Sequence, residues 1–327
     1  MWKKTALNLA AVLSFAAMAF PGEGMAQAGS YPDRPIRFVA PYGPGGTVDP
    51  TARVLAGPVG EILGRPVIVE NKPGAAGSIG TEHVVRQPAD GHAVLIHTNL
   101  VASEPWLKPN LPYKFLKDMT PVMAINETPF VLLVNPSLPA KTVKEFVDYA
   151  KANPGKLNYG ASGIGSSGHL RGEQFKLETG IKMEFVPYLD GGSTLRGLLG
   201  NEIQAALDTL PGSIGMIQAG TLRLLAVGTP QRWFLVPGTP TMKESGFSNV
   251  ASQWIGAYVR ADTPPAIIDK LAKAMKQAVN DPRVKEQYRK IGFEVVGEGP
   301  AETLKRVQEE TEMWRKTVEA AGIKIAQ

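Results

Sequence analysis

Three glycine-rich loops could bring backbone N–H groups to one small anion. They span residues 41–49, 161–168 and 190–193. Each loop follows an apolar strand-like run and precedes a helical pattern. Each would therefore present unpaired donors and the positive end of a helix dipole. Because glycine lets the backbone approach a ligand closely, the spacing predicts an anion cradle that needs no basic side chain.

Polar side chains in and beside these loops are the further candidates for ligand contact. Asp208 follows an apolar strand-like run; it would either cap the next turn or face the ligand, repelling a carboxylate or holding a cation or protonated group. His169, one residue past the second loop, would either pack locally or line the site. The predicted ligand-binding residues are Tyr42, Gly45, Gly46, Thr47, Asp49, Thr98, Ser162, Ser166, Ser167, His169, Tyr188, Gly191 and Asp208.

The sequence contains no assembled catalytic or metal-binding set. Its four histidines form no helical pair with metal-ligand spacing, and no Gly-x-Ser-x-Gly elbow occurs. The absence of cysteine excludes disulfides, cysteine-ligated metals and thiol catalysis. We therefore predict that the protein is not an enzyme and uses neither a cofactor nor a metal ion.

One motif favours a different class of protein. Gly163, Gly165 and Gly168 match the dinucleotide fingerprint, and Asp190 follows near the end of the next strand. This pattern leaves open an exported NAD-dependent oxidoreductase as the alternative function. The motif is frequent, however, and here it lies in mid-chain instead of in an opening βαβ unit.

The N-terminal residues indicate export. Lys3 and Lys4 precede an apolar run over residues 7–20, and the small-x-small pattern at 26–28 is typical of a signal-peptide cleavage site. We predict a signal peptide over residues 1–28, cleavage near Ala28 and a periplasmic location. The chain has a formal charge of +5 and no long run of like charges, so nucleic acid is not an expected partner.

Strand and helix patterns alternate along the chain, which predicts an α/β fold with parallel sheets. Asp49, followed by Pro50, is predicted to cap the first long helix, and Arg171 to lie on a solvated helix face unless it reaches the ligand. The C-terminal tail has too few strands for its own sheet. We therefore predict a discontinuous first lobe over 29–129 and 255–327, a second lobe over 130–254, and a hinged cleft between them.

Ordered motifs over essentially the whole mature chain resemble the Bug family, the periplasmic solute-binding proteins of tripartite tricarboxylate transporters. The matching segments include residues 31–36, 41–49, 69–75, 165–170, 187–188, 191–192, 219–223, 240–242 and 320–324. The sequence departs from the family pattern at Thr47, Gly168, Leu189 and Asp190, and Arg171 replaces a small residue. These changes bear on the identity of the ligand more than on the function.

The resemblance implies a two-lobed periplasmic-binding-protein fold of type II, the Venus-flytrap fold, with the ligand in the interdomain cleft. It also implies that loop backbone groups and bridging waters hold a small organic carboxylate without catalysis. The ligand classes left open are dicarboxylates, tricarboxylates, aromatic carboxylates and amino acids. The expected partners are this ligand and the membrane components of the transporter, and the protein is expected to be a monomer.

Overall fold

A computed structural model describes residues 31–44, 46–248 and 252–323, in which strands and helices alternate. The strands are β1 (Ile36–Ala40), β2 (Val67–Asn71), β3 (Ala93–Thr98), β4 (Met119–Val134), β5 (Leu157–Ala161), β6 (Met183–Pro187), β7 (Ala205–Thr209), β8 (Arg223–Val227), β9 (Ser252–Arg260) and β10 (Glu294–Glu298). The helices are α1 (Val48–Leu63), α2 (Ser78–Val85), α3 (Glu104–Leu107), α4 (Phe115–Asp118), α5 (Val143–Ala152), α6 (Ser167–Thr179), α7 (Gly191–Leu199), α8 (Leu210–Gln218), α9 (Pro265–Asn280), α10 (Pro282–Lys290) and α11 (Pro300–Ala321). Two 3₁₀ turns lie at Ala75–Gly77 and Asn99–Ser103.

The first half of the molecule contains a sheet with the order β2-β1-β3-β9-β4, and β10 also pairs with β4. Strands β2, β1 and β3 are parallel, whereas β9 runs antiparallel to both β3 and β4. The carboxyl ends of the three parallel strands therefore lie at one edge, where open α/β sheets usually bind ligands.

The second half contains a sheet with the order β4-β7-β5-β6, and β8 also pairs with β4. Strands β7, β5 and β6 are parallel to one another. The long strand β4 belongs to both halves: Pro129 pairs with Ser252 in the first sheet, and Phe130 pairs with Thr209 in the second. The run Phe130–Val134 is apolar throughout and fully buried, as a strand covered on both faces must be.

Helices cover both faces of each sheet and give each half its own core. In the first half, Phe38 and Leu55 are buried on one face, and Tyr258 and Trp314 on the other. The second half buries two separate apolar clusters in the same way. This is the predicted two-lobed α/β architecture, and below we call the halves the first and the second lobe.

The C-terminal helices pack on the first lobe. The apolar stripe of α9, which includes Leu271 and Met275, lies in the same core as Leu55 of α1. Helix α11 contributes Val307, Trp314 and Val318 to the other core of the first lobe, and it also contacts α6 of the second. The C-terminal helices therefore pack on the sheet of the N-terminal strands, although they are far from it in sequence.

Helix α1 corrects one local prediction. Its N-cap residue is Thr47, whose side chain makes no capping hydrogen bond, and Asp49 lies within the first turn. The prediction that Asp49 caps the helix is therefore wrong, because the helix begins two residues earlier and the Asp49 carboxylate bonds to Arg53 and Asn71 instead. The helix ends at Gly64 in the left-handed conformation, as its sequence predicts.

Within the described ranges, no helix is both long and apolar enough to cross a membrane. The same residues contain no cluster of three or more His, Cys, Asp or Glu side chains that could hold a metal ion.

Candidate ligand-binding site

The first predicted loop joins β1 to α1 at the carboxyl edge of the first sheet. Gly46 is exposed, and a Cβ atom built on it would approach nothing closer than Gly43 O at 3.9 Å. The hydroxyl of Thr47 is held from β9, because Gln253 Nε2 donates to Thr47 Oγ1 at 2.6 Å. Gly45 lies outside the described residues. The loop therefore offers open backbone at Gly46 directly before the N-terminus of α1.

The Asp49 side chain braces this loop from behind. Its carboxylate accepts from Arg53 Nε at 3.1 and 3.0 Å and from Asn71 Nδ2 at 2.9 Å. The same Asn71 amide donates to Tyr42 O at 2.9 Å. Burial favours the protonated acid, but the hydrogen bonds from Arg53 and Asn71 outweigh it and lower the pKa of Asp49. A carboxylate engaged in this way holds the loop in shape.

Tyr42 and Thr98 lie together because β1 and β3 are neighbours. Tyr42 Oη and Thr98 Oγ1 are 3.5 Å apart, at the carboxyl ends of the two strands. The Tyr42 ring packs edge-on against His97 with 5.3 Å between ring centroids. Burial lowers the pKa of His97 to about 4, so this imidazole is neutral at physiological pH. The hydroxyls of Tyr42 and Thr98 thus lie side by side, next to the neutral imidazole of His97.

The turn after β2 belongs to the same edge, although the sequence analysis did not include it among the site residues. Ala75, Ala76 and Gly77 have φ values of 47°, 50° and 93°. Three successive left-handed residues can direct their N–H groups into a shared concavity that suits an anion. A Cβ on Gly77 would lie 2.4 Å from His97 Nε2, so the turn is packed directly beside His97. The glycine run at 73–77 was the available signal.

The second loop joins β5 to α6 in the second lobe. Gly163 and Gly165 have φ values of 89° and 78°, and Ser166 caps α6 by accepting from His169 N–H. Ser162 is exposed, whereas Ser167 is half-buried at the first position of the helix. Ser166 therefore mainly organises the helix start, whereas the hydroxyls of Ser162 and Ser167 form no hydrogen bond with the described residues.

His169 is a structural part of the second loop. Its Nδ1 accepts from Gly165 N–H at 3.0 Å, and its ring stacks on Phe185 with 4.0 Å between centroids. Burial lowers the pKa of His169, so the ring is neutral and carries its proton on Nε2. The sequence left open whether His169 packs locally or lines the site. Its Nδ1 takes part in local packing, while Nε2–H remains a donor.

The third loop joins β6 to α7. Asp190 caps α7 in a reciprocal capping box with Ser193, which leaves Gly191 as the first helical residue. The hydroxyl of Tyr188 donates to Glu202 Oε2 at 3.1 Å and packs against Gly197. The neighbouring Leu189 is 92% exposed. The third loop thus places the backbone of Gly191 near the exposed apolar side chain of Leu189.

Asp208 is the last residue but one of β7 and lies between the starts of α6 and α7. Its Oδ1 accepts from Thr209 N–H at 2.7 Å, and a Cβ on Gly191 would lie 3.2 Å from its Oδ2. On the other side, a Cβ on Gly168 would lie 2.4 Å from Leu207 O. Burial raises the pKa of Asp208 to about 6, with the Thr209 hydrogen bonds opposing part of the effect. This carboxyl is therefore poised to gain a proton when another anion comes close.

Arg171 is not on a solvated face, and that prediction is wrong. Its side chain is 3% exposed and its guanidinium Cζ lies 4.4 Å from the ring centroid of Trp314. The reason is the packing of α6 against α11, which sequence spacing alone does not reveal. Arg171 is thus a buried contact between the two lobes.

These loops sit at the carboxyl ends of strands in two separate sheets that share β4, the arrangement of a two-lobed solute-binding protein. Residues 51–323 match the TctC family, described as the tripartite tricarboxylate transporter family receptor. Protein BugT of Bordetella pertussis is 33% identical over 325 residues, which cover 98% of this chain and all of BugT. The chain therefore belongs to the TctC family of periplasmic receptors.

Solved structures agree with this assignment. The structure described as R. palustris Rpa4515 with adipate is 32% identical, with a TM-score of 0.80, covering 90% of this chain and 100% of the other. The periplasmic binding protein BugD is 30% identical with a TM-score of 0.77, again over 90% and 100%. MatC of Rhodopseudomonas palustris with bound malate is 26% identical with a TM-score of 0.76, over 88% and 100%.

Proposed function

We propose that the mature protein captures a small organic carboxylate between its lobes and releases it chemically unchanged. The observation that carries this proposal is that the starts of α6 and α7 both lie against β7, Gly168 beside Leu207 O and Gly191 beside Asp208 Oδ2, with an exposed serine at 162. Two helix starts supply donors and positive dipole ends for one anion. Adipate with Rpa4515 and malate with MatC are ligands of the same chemical class in two related proteins.

The candidate residues divide into two roles under this proposal. Open donors come from Gly46, Ser162, Ser167 and Gly191, with Tyr42 and Thr98 adding hydroxyls from the first lobe. The remaining candidates, Thr47, Asp49, Ser166, His169, Tyr188 and Asp208, shape or tune these loops through the contacts described above. Gly45 remains a candidate by sequence.

The ligand is expected to have an apolar part. Leu189, beside the third loop, is 92% exposed, and Ile164, on the second loop, is 52% exposed. These two loops flank Asp208. A ligand that covers such side chains removes apolar surface from water, which contributes about 25 cal/mol per Å². This favours a larger or aromatic carboxylate over a compact, fully polar one.

The lobes are expected to close on the ligand by bending where β4 changes sheets, between Pro129 and Phe130. The sequence placed the return crossing at 254/255. Since Ser252 and Trp254 pair with β4 in the first sheet, we propose that the return precedes Ser252. Contacts with both lobes would favour the closed state in proportion to the differential affinity of the ligand.

The family and the N-terminal sequence both support a periplasmic location. We propose that residues 1–28 are a signal peptide cleaved near Ala28, and that the mature protein is a periplasmic monomer. In its closed form it would deliver the ligand to the membrane components of a tripartite carrier.

A thermal-shift screen of the mature protein against mono-, di-, tricarboxylate, amino-acid and aromatic-acid ligands tests the proposal. A ligand at a hundred times its Kd stabilises the native state by about 2.7 kcal/mol, which raises Tm by a few degrees. A single class of carboxylates should produce such a shift. Failure of every carboxylate, combined with quenching of NADH fluorescence, would favour the oxidoreductase alternative.

A further inference from the structure

The first turn of α6 is anchored in the opposite lobe. Leu170 is fully buried in the first-lobe core that contains Trp254, Tyr258 and Trp314. Only two residues separate Leu170 from Ser167, the first residue of the helix. A shift of this turn would therefore move the second glycine-rich loop directly.

Arg171, the residue after Leu170, adds a charged group to this contact with the first lobe. Its guanidinium lies over the ring of Trp314 at 4.4 Å and near that of Phe130 at 5.9 Å, at the point where β4 changes sheets. Arg171 also donates from an Nη1 atom to Gln174 Oε1 at 3.0 Å and lies 3.9 Å from Met313 Sδ. Stacking of a desolvated guanidinium on tryptophan is one of the stronger cation–π contacts.

Glu310 of α11 links the same contact to the first-lobe half of the site. Its carboxylate accepts from Trp254 Nε1 at 2.6 Å and from Asn99 Nδ2 at 2.9 Å. Asn99 directly follows Thr98, one of the candidate hydroxyl donors. Burial lowers the pKa of Arg171 to about 10 against the opposing charge of Glu310, so the guanidinium stays charged at neutral pH.

We propose that Arg171 is a positioning residue that holds the second-lobe anion loop through α11. Asn99 donates to Glu310 of α11, and Trp314, on the next turn of α11, stacks on Arg171, so these contacts lead through α11 from one lobe's half of the site to the other's. Calling the loop an anion loop rests on the proposed function. The mechanical link itself does not depend on which ligand is bound.

Hydrogen–deuterium exchange of the ligand-free mature protein tests this link. In Arg171→Met, which keeps an unbranched apolar chain but removes the guanidinium, amides of residues 165–170 should exchange at least tenfold faster. Amides in β5 and α5 should keep their wild-type rates. Arg171→Lys, which keeps the charge, should recover part of the protection, and Glu310→Gln should loosen the same amides.

Arg315→Met is the matched control, because Arg315 is the neighbour of Trp314 on α11 and pairs with Glu312 and Glu319 at the surface. It should leave residues 165–170 unchanged. The proposal is overturned if Arg171→Met exchanges within twofold of wild type at 165–170, or if its protection falls equally throughout the chain. It is also overturned if Arg315→Met has the same effect. Because no ligand is needed, a failed carboxylate screen counts against the proposed function alone.

Discussion

At the scale of single residues, Gly46 offers the most direct test of backbone recognition. Its surroundings leave room for a Cβ, so Gly46→Val should keep the stability of the fold within about 0.5 kcal/mol. The branched side chain should nevertheless block close approach of the ligand and weaken binding by roughly a hundredfold or more. Calorimetric titration of a carboxylate identified in the screen measures the loss.

Ser167→Ala is the comparison for this substitution. It removes one hydrogen bond, worth about 0.5–1.5 kcal/mol, and should weaken binding by roughly tenfold or less. If Gly46→Val is tolerated while Ser167→Ala abolishes binding, side chains rather than backbone groups hold the anion.

Asp208 should make carboxylate binding dependent on pH. Burial raises its pKa to about 6, and a bound anion nearby should raise the pKa further, so binding takes up a proton. Affinity should therefore increase about three- to tenfold as the pH falls from 7.5 to 5.5, where simple carboxylate ligands stay largely ionised.

Asp208→Asn should remove this dependence and bind more tightly than wild type at pH 7.5. The same charge bears on stability: because the folded pKa is raised, ionisation costs the native state stability as the pH rises from about 4 to 6. An unchanged pH profile in Asp208→Asn would mean that the carboxyl does not sense the ligand.

At the scale of elements, the close contact of α6 with β7 sets where the second loop lies. A Cβ at Gly168 would meet Leu207 O at 2.4 Å and Ala161 Cβ at 2.9 Å, and backbone cannot move aside easily. Gly168→Ala should therefore destabilise the protein by about 1–3 kcal/mol in urea unfolding.

The control for Gly168→Ala is Gly215→Ala in α8, where nothing lies within 4 Å of the new methyl group. This change should stabilise the protein by about 0.5–1 kcal/mol through helix propensity alone. Equal effects of the two substitutions would show that α6 does not depend on this close approach.

The elements differ in how far the sequence could predict them. Local rules suffice for the ends of α11, where Pro300 opens the helix and Gly322 closes it, and for Gly64 as the end of α1. They fail for the cap role of Asp49 and for the solvated face of Arg171, because partners of these side chains come from other elements. Asn71 approaches Asp49, and Trp314 approaches Arg171, only when the sheets assemble.

At the scale of the whole molecule, two cores joined by β4 should permit closure. Small-angle scattering of the mature protein should show a smaller radius of gyration when a saturating carboxylate is added. The change follows because contacts to both lobes stabilise the closed state over the open one. An identical radius with and without saturating ligand would instead indicate a rigid, preformed pocket.

The central claim is that the protein binds an organic carboxylate and does not transform it. Isothermal titration of the mature protein with the best carboxylate from the screen, followed by mass analysis of the recovered ligand, tests it most directly. We predict one ligand bound per chain and full recovery of the ligand with unchanged mass. Conversion of the bound carboxylate by the purified protein, or titration without saturable binding, would contradict the account.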